Sequence, residues 1–288
     1  MILQTENKNN KVKSGLYIVA TPIGNLSDIT LRALDVLKKS DVILCEDTRR
    51  SLKLLNHFNI KKKLVSYHKF NEKRELHKVI EYLNEGKILS LISDAGTPAL
   101  SDPGGILINE CIKRGKSIYP VPGPSSITTS VSISGFLDQF LFYGFLPKKE
   151  KELEKVLSGL RDLKFSIVFF IPGLKVNFYL KKFKEFFTNR NILIAREITK
   201  IHETFYRNSI KEISLFKTAP KGELTIVLSS ANTQDQNSNT ADINTQAFKY
   251  LKKYSLKDVV DLISKKEKIS KKIVYEICLK IKNNEKIK

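Results

Sequence analysis

The side chains best able to do chemistry stand where apolar runs end. Glu46-Asp47-Thr48-Arg49 follows Val42–Cys45, and Asp94 and Asp102 lie in SDAGTPALSDPGG (Ser93–Gly105), just after Ile88–Ile92. Arg196-Glu197-Ile198-Thr199-Lys200-Ile201-His202-Glu203 follows Ile192–Ala195. A carboxylate or a desolvated lysine in such a place can take the proton of a weakly acidic hydroxyl. Glu46, Asp47, Asp94 and Lys200 are therefore candidate bases. Arg49 offers a guanidinium that fits a phosphate bidentately; its spacing from Asp47 equally allows the two to pair, and both readings stand open. Of the histidines, His57 and His77 fall inside predicted helices, while His68 follows a strand. No His/Asp/Glu cluster has metal-ligand spacing, so no metal is expected. Cys45, Cys111 and Cys278 are scattered within apolar patterns and read as small core hydrophobes.

The elements that must position these groups alternate. Leu16–Ala20, Val42–Cys45, Leu64–Tyr67, Ile88–Ile92 and Ser117–Val121 read as strands. Between them lie helical stripes: Ile29, Leu31, Leu34 and Leu37, capped by Ser27 or Asp28; Leu52, Leu55 and Phe58; Leu76, Val79, Ile80 and Leu83. A further helix is expected from Asp102-Pro103, with Asp102 as its cap, to about Arg114, with Gly115 as its stop. This alternation predicts an α/β domain with a mainly parallel sheet. Strands ending near Ala20, Ser93 and Val121 all run into Gly/Pro-rich turns: TPIGN, SDAGTP and PGPSS. Ligands in open α/β sheets bind outside the carboxyl ends of strands, so these turns are expected to share one site. None is GxGxxG or GxxxxGK[ST], which excludes ordinary dinucleotide and P-loop sites.

A second domain begins near Gly135, with strands at Phe140–Tyr143, Ser166–Ile171, Ile192–Ala195 and Leu224–Leu228 and helices through Leu153–Leu160 and Val176–Phe187. Ser229–Gln246 has almost no apolar residues and reads as a linker. The expected division is a polar tail at 1–14, α/β domains at 15–134 and 135–229, a linker at 230–246 and a basic helical module at 247–288. That module carries thirteen lysines against five acidic residues, a net +8, with Lys268-Ile269-Ser270 as its turn and cap. It reads either as a helix–turn–helix-like pair touching nucleic-acid backbone or as a solvated lysine face. The whole chain of 288 residues has a net charge of +20, which favours a polyanionic partner, although abundant Lys, Asn and Ile also mark an AT-rich coding sequence. The longest apolar runs are too short to span a bilayer, and the first residues lack a signal-peptide pattern, so a cytoplasmic location is expected.

Read together, TPIGN, DIT, EDTR, SDAGTPALSDPG, PGPSS, YGFLP and AREITKIHE, in this order from about Gly15 to Leu228, closely resemble a bacterial family: the 16S ribosomal RNA methyltransferases that modify the ribose 2′-hydroxyl of a P-site cytidine. These belong to the tetrapyrrole-methylase-like S-adenosylmethionine enzymes. The resemblance implies two α/β domains followed by a small helical module, with S-adenosylmethionine in the cleft, 16S ribosomal RNA (in the small subunit) as substrate, and a homodimer. Carried over by position, Pro22, Ile23, Gly24, Asp94, Gly96, Thr97, Pro98, Leu100, Gly123, Ser125 and Ser126 fall near the cofactor; Phe170, Arg196 and Glu223 match more loosely, and Arg49 is implied on the substrate side. One stretch departs from the family. Phe169–Lys175 lacks the glutamate, histidine and arginine often found there, which puts in doubt the substrate or dimer contacts they make. Two rivals remain: a methylase of a tetrapyrrole or other small molecule, which leaves the basic module unexplained, and a non-catalytic RNA-binding protein, against which the intact turns argue.

Overall fold

The computed structural model describes residues 12–136, 139–231, 244–251, 253–267 and 271–285. The expected tail up to residue 11, the linker at 232–243 and the Lys268–Ser270 turn lie outside the described residues. The chain divides into two compact units, Met1–Ser230 and Ala231–Lys288.

The first unit holds two five-stranded sheets. In the first, β1 (Gly15–Val19), β2 (Val42–Cys45), β3 (Lys63–Ser66), β4 (Ile88–Ile92) and β5 (Ile118–Val121) lie in the order β3-β2-β4-β1-β5. Every pairing is parallel, with Gly15 opposite Ile88 and Leu16 opposite Ile118. Period-two alternation sends successive residues to opposite faces. Leu16, Val42, Leu44, Leu89 and Leu91 pack under α3 (Glu72–Asn84) and α4 (Gly105–Lys113). Tyr17, Val19, Ile43 and Cys45 pack under α1 (Leu31–Lys39) and α2 (Thr48–His57). Burial on both faces explains why the strands read as continuous apolar runs. This is the parallel sheet expected from the sequence.

Two caps differ from expectation. Thr30, not Ser27 or Asp28, caps α1, its Oγ1 accepting from the Ala33 N–H at 3.0 Å. Leu31, placed on the apolar stripe by periodicity, is 83 % exposed at the first turn. Asp102 caps nothing. The helix α4 starts only at Gly105, and the Gly104 N–H donates to buried Glu72 Oε1 at 2.8 Å. A carboxylate from another helix does the work assigned to the local one. The stop stands: Gly115 has φ +62°.

The second sheet contains β6 (Phe140–Phe145), β7 (Ser166–Pro172), β8 (Asn191–Arg196), β9 (Thr204–Ser209) and β10 (Glu223–Leu228), ordered β6-β7-β10-β8-β9. Only β6 and β7 are parallel. Ile167, Phe169, Ile192, Ile194 and Leu224 face α6 (Glu150–Leu160) and α7 (Val176–Phe186). On the other face, Val168, Leu193 and Val227 pack with Ile127 of α5 (Ser126–Ser132), a helix that leaves the PGPSS turn. Neither α5 nor β9 was legible in the sequence: α5 is a short Ser/Thr run, and β9 is a partly exposed edge strand. Arg190 is buried at one end of this sheet. Its guanidinium donates to the carbonyls of Leu160, Arg161, Leu163, Phe165 and Ser229 at 2.5–3.3 Å.

The second unit is helical: α8 (244–251), α9 (Leu256–Glu267) and α10 (Lys271–Glu285). It has its own small core of Ala247, Val259, Val260, Ile263, Val274 and Cys278. Buried Cys45, Cys111 and Cys278 are all free thiols. Among the described residues no helix is long and apolar enough to cross a membrane, and no group of His, Cys, Asp or Glu is arranged to hold a metal.

Candidate functional site

Because β4, β1 and β5 are neighbours and parallel, the three turns at their carboxyl ends must meet. Thr21 and Gly96 exchange backbone hydrogen bonds at 2.9 Å each way, and Thr21 Oγ1 donates to the Ser93 carbonyl at 3.2 Å. Thr97 Oγ1 reaches the Pro124 carbonyl at 3.4 Å. Gly96 has φ +81°, and a Cβ there would stand 3.3 Å from Ile23. Gly24 turns instead toward the second sheet: a Cβ would meet the Ile198 carbonyl at 2.6 Å, and the next N–H, of Asn25, donates to Thr199 Oγ1 at 2.9 Å. Glu197 and Thr199 adopt left-handed backbone (φ 52° and 63°) in this facing turn.

The turns enclose a cavity of about 350 Å³ between the two sheets. Of the residues singled out by sequence, Ile23, Asp94, Gly96, Thr97, Leu100, Ser125 and Ser126 line it from the first domain, and Phe170, Lys200 and Glu223 from the second. Pro22, Gly24, Pro98, Gly123 and Arg196 do not line it; they belong to or adjoin the turns that shape it. Glu46, Asp47 and Arg49 border a second, more open hollow, together with His68 and with Asp94, which lines both. Sequence reasoning missed Arg50, Phe145, Glu197 and Thr225 as lining residues and read Asp102 only as a cap. Arg50 and Phe145 lie in the EDTR and YGFLP neighbourhoods, which is the only local signal they carry.

The cavity is acidic. Asp94 Oδ2 pairs with Arg50 Nη1 at 3.0 Å, and its Oδ1 accepts the Asp47 N–H at 3.2 Å. Burial pushes the Asp102 carboxyl above its usual range, with a hydrogen bond from Ser93 opposing and the Asp94 charge adding. Burial likewise raises Glu223, helped by the Asp102 charge. Glu197 Oε1 holds Lys200 Nζ at 3.1 Å. Four carboxylates thus face two cations in a chain of net charge +20. Phe145 and Phe170 meet at 5.4 Å between ring centres, tilted 59° to one another, and supply an apolar wall. The arrangement suits a cationic small molecule with a planar ring, held largely by backbone.

In the adjoining hollow, Asp47 and Arg49 do pair: Nη2 lies 2.8 Å from Oδ2 and Nε 3.1 Å from Oδ1, and Asp47 caps α2, its Oδ1 accepting the Arg49 N–H at 2.8 Å. The Arg49 hydrogen bonds hold the Asp47 carboxyl well below the usual carboxylate range. Burial raises Glu46, and the Asp94 and Asp102 charges raise it further, partly offset by His68 and Arg50.

The two-sheet fold with a cavity between its sheets is that of the Tetrapyrrole (Corrin/Porphyrin) Methylases, whose family model matches residues 15–214. Among solved structures, the methyltransferase CobJ aligns at a TM-score of 0.59 with 16% identity, over 76% of this chain and 95% of its own. Uroporphyrin-III C-methyltransferase from Thermus thermophilus, complexed with S-adenosyl homocysteine, aligns at 0.55 with 16% identity, over 75% and 97%. Ribosomal RNA small subunit methyltransferase I of Mesomycoplasma conjunctivae is 46% identical over 74% of this chain and 90% of the relative; that of Rickettsia prowazekii is 42% identical over 94% and 98%. The chain therefore belongs to the ribosomal RNA small subunit methyltransferase I family.

Proposed function

We propose that this protein methylates the 2′-hydroxyl of a P-site cytidine ribose in 16S ribosomal RNA, using S-adenosylmethionine. The observation that carries the reading is an acid-lined, backbone-built cavity inside a strongly basic chain. Two chemistries are separated in one molecule: a pocket for a small cation and a surface for a polyanion. Similarity to ribosomal RNA methyltransferases over almost the whole chain points the same way.

The residues present fit the cofactor. The volume lies within the ~300–1,000 Å³ usual for small-molecule sites. Gly96 lets backbone approach closely, Phe145 and Phe170 suit an adenine, and Asp94, Asp102 and Glu223 suit a sulfonium and an ammonium. Pro22, Pro98, Gly123 and Arg196 keep supporting places around the turns. Bound there, S-adenosylmethionine supplies an already activated methyl group, so alignment is the protein's main task. Among the candidate bases, Asp47 is occupied by Arg49, Asp94 by Arg50, and Lys200 by Glu197. Glu46 makes no ion pair with a described residue, and its raised pKa makes it the better proton acceptor. Glu46 would take the ribose hydroxyl proton as the oxygen gains the methyl group and the demethylated cofactor leaves as S-adenosylhomocysteine.

The same reading includes the small ribosomal subunit as partner, a homodimer, a cytoplasmic location and the division at 134/135 and 229/230. A small-molecule substrate leaves the +8 of residues 247–288 without a purpose. Calorimetry with S-adenosylmethionine tests the cofactor; absence of heat would favour a non-catalytic RNA-binding protein. Mass spectrometry of 16S ribosomal RNA from a deletion strain tests the substrate: the P-site cytidine should lose its ribose methyl group, and an unchanged nucleoside would defeat the assignment.

A further inference from the structure

We propose that the open hollow beside the cavity seats the target nucleotide as an unstacked, single-stranded residue, its base on the ring of Phe70 and an adjacent phosphate on Arg49. This inference rests on the methyl-transfer reading and adds where the acceptor lies. The hollow, about 500 Å³, sits where β2 and β3 end, lined by Glu46, Arg49, His68, Lys69 and Phe70. Asp94, at the end of β4, lines both this hollow and the cavity, so the two spaces adjoin. An acceptor here stands next to the methyl donor without sharing its pocket.

Phe70 is 94 % exposed, so its ring is open to a partner. Its turn is fixed. The Phe70 N–H donates to His68 Nδ1 at 3.3 Å, the His68 N–H to Asn71 Oδ1 at 2.7 Å, and Asn71 Nδ2 to the Ser66 carbonyl at 2.9 Å. The His68 ring stands against the Phe70 ring at 6.1 Å, edge to face. An aromatic face held out on a hydrogen-bonded turn beside cations is what single-stranded RNA recognition uses, because every base has a face to stack. Arg49 spends Nε and one Nη2 hydrogen on Asp47 while its side chain stays 88 % exposed, leaving outward N–H groups for a phosphate, with exposed Lys69 beside it. Glu46 lines the same space, in reach of a ribose held there.

The test uses the full chain, a short labelled single-stranded oligoribonucleotide with a central cytidine, and the variants Phe70→Ala and Phe70→Trp. Phe70→Ala should weaken RNA binding at least about fivefold, the low end of one base–aromatic stack. It should raise the KM for RNA more than it lowers kcat. Phe70→Trp should restore both, and S-adenosylmethionine affinity should stay constant in both variants. Unchanged RNA binding in Phe70→Ala, or an equal loss in Phe70→Trp, would overturn the subsite while leaving methyl transfer intact. A wild-type chain that binds no S-adenosylmethionine and methylates no RNA would overturn the underlying reading, and the subsite with it.

Discussion

Arg50 Nη1 lies 3.0 Å from Asp94 Oδ2, and this contact ties α2 to the turn after β4 at the place where the cavity and the hollow adjoin. Because Asp94 also accepts the Asp47 N–H, its carboxylate is oriented from two sides. Asp94→Asn keeps the shape and removes the charge. Binding of S-adenosylmethionine, measured by calorimetry, should weaken about tenfold or more, as expected for a charge-assisted hydrogen bond lost, with little change in Tm.

Thr97 lines the cavity next to Gly96. Thr97→Trp should fill the space and abolish S-adenosylmethionine binding while circular dichroism still reports a folded chain. Retained binding would mean that the cofactor lies elsewhere.

The raised carboxyls give pH signatures of known sign. Glu46 must be ionised to accept a proton, so kcat should rise with pH through a midpoint above the ordinary glutamate value of about 4.3. Glu46→Gln should lower kcat by about 100-fold or more and remove that limb. Glu223 favours its protonated form when folded. Its contribution to stability is therefore complete below the unfolded pKa and lost as pH rises through the raised one. Because Glu223 is exposed at the start of β10, Glu223→Gln should raise Tm at neutral pH only slightly, with the gain shrinking as the pH falls toward about 4, while cofactor affinity drops. A scan of Tm against pH checks the first, and calorimetry with S-adenosylmethionine the second.

Arg190 satisfies five carbonyls at once at the end of α6 and around the ends of β7 and β10. Arg190→Met fills much of the volume but removes this donor from five carbonyls, of which that of Leu160 still accepts the Leu163 N–H. Denaturant unfolding should show a loss of at least about 3 kcal/mol. Arg190→Lys, a single point donor, should recover only part of it.

Residues 247–288 carry their own small core and a net +8. Their deletion should reduce RNA affinity and flatten its dependence on salt, because fewer counterions are released. S-adenosylmethionine affinity should not change. An unaltered slope of log K against log salt would reduce the module to a solvated lysine face.

Much of the first domain was legible because its signals are local. Runs such as Val42–Cys45 and Ile88–Ile92 can be little but buried strands, and Gly96 and Gly115 take backbone angles that glycine accepts without strain. The order of the motifs sufficed for the family. What depended on partners distant in the chain was not legible. Asp102 beside Pro103 has every local mark of a helix cap, yet Glu72 from α3 supplies that carboxylate and Asp102 lines the cavity. Edge strand β9 and helix α5 are stabilised by the sheet they pack on, against weak propensities of their own.

By itself, then, the sequence determined every strand but β9, the glycine turns and the family, because each is written in neighbouring residues and in the excess of positive charge. Only the tertiary structure decided which carboxylates share a cavity, that Arg50 holds Asp94, and that Phe70 stands bare beside Glu46. The reason is physical: burial and pairing belong to positions in space, and sheet order, not chain order, brings the ends of β2, β3 and β4 together.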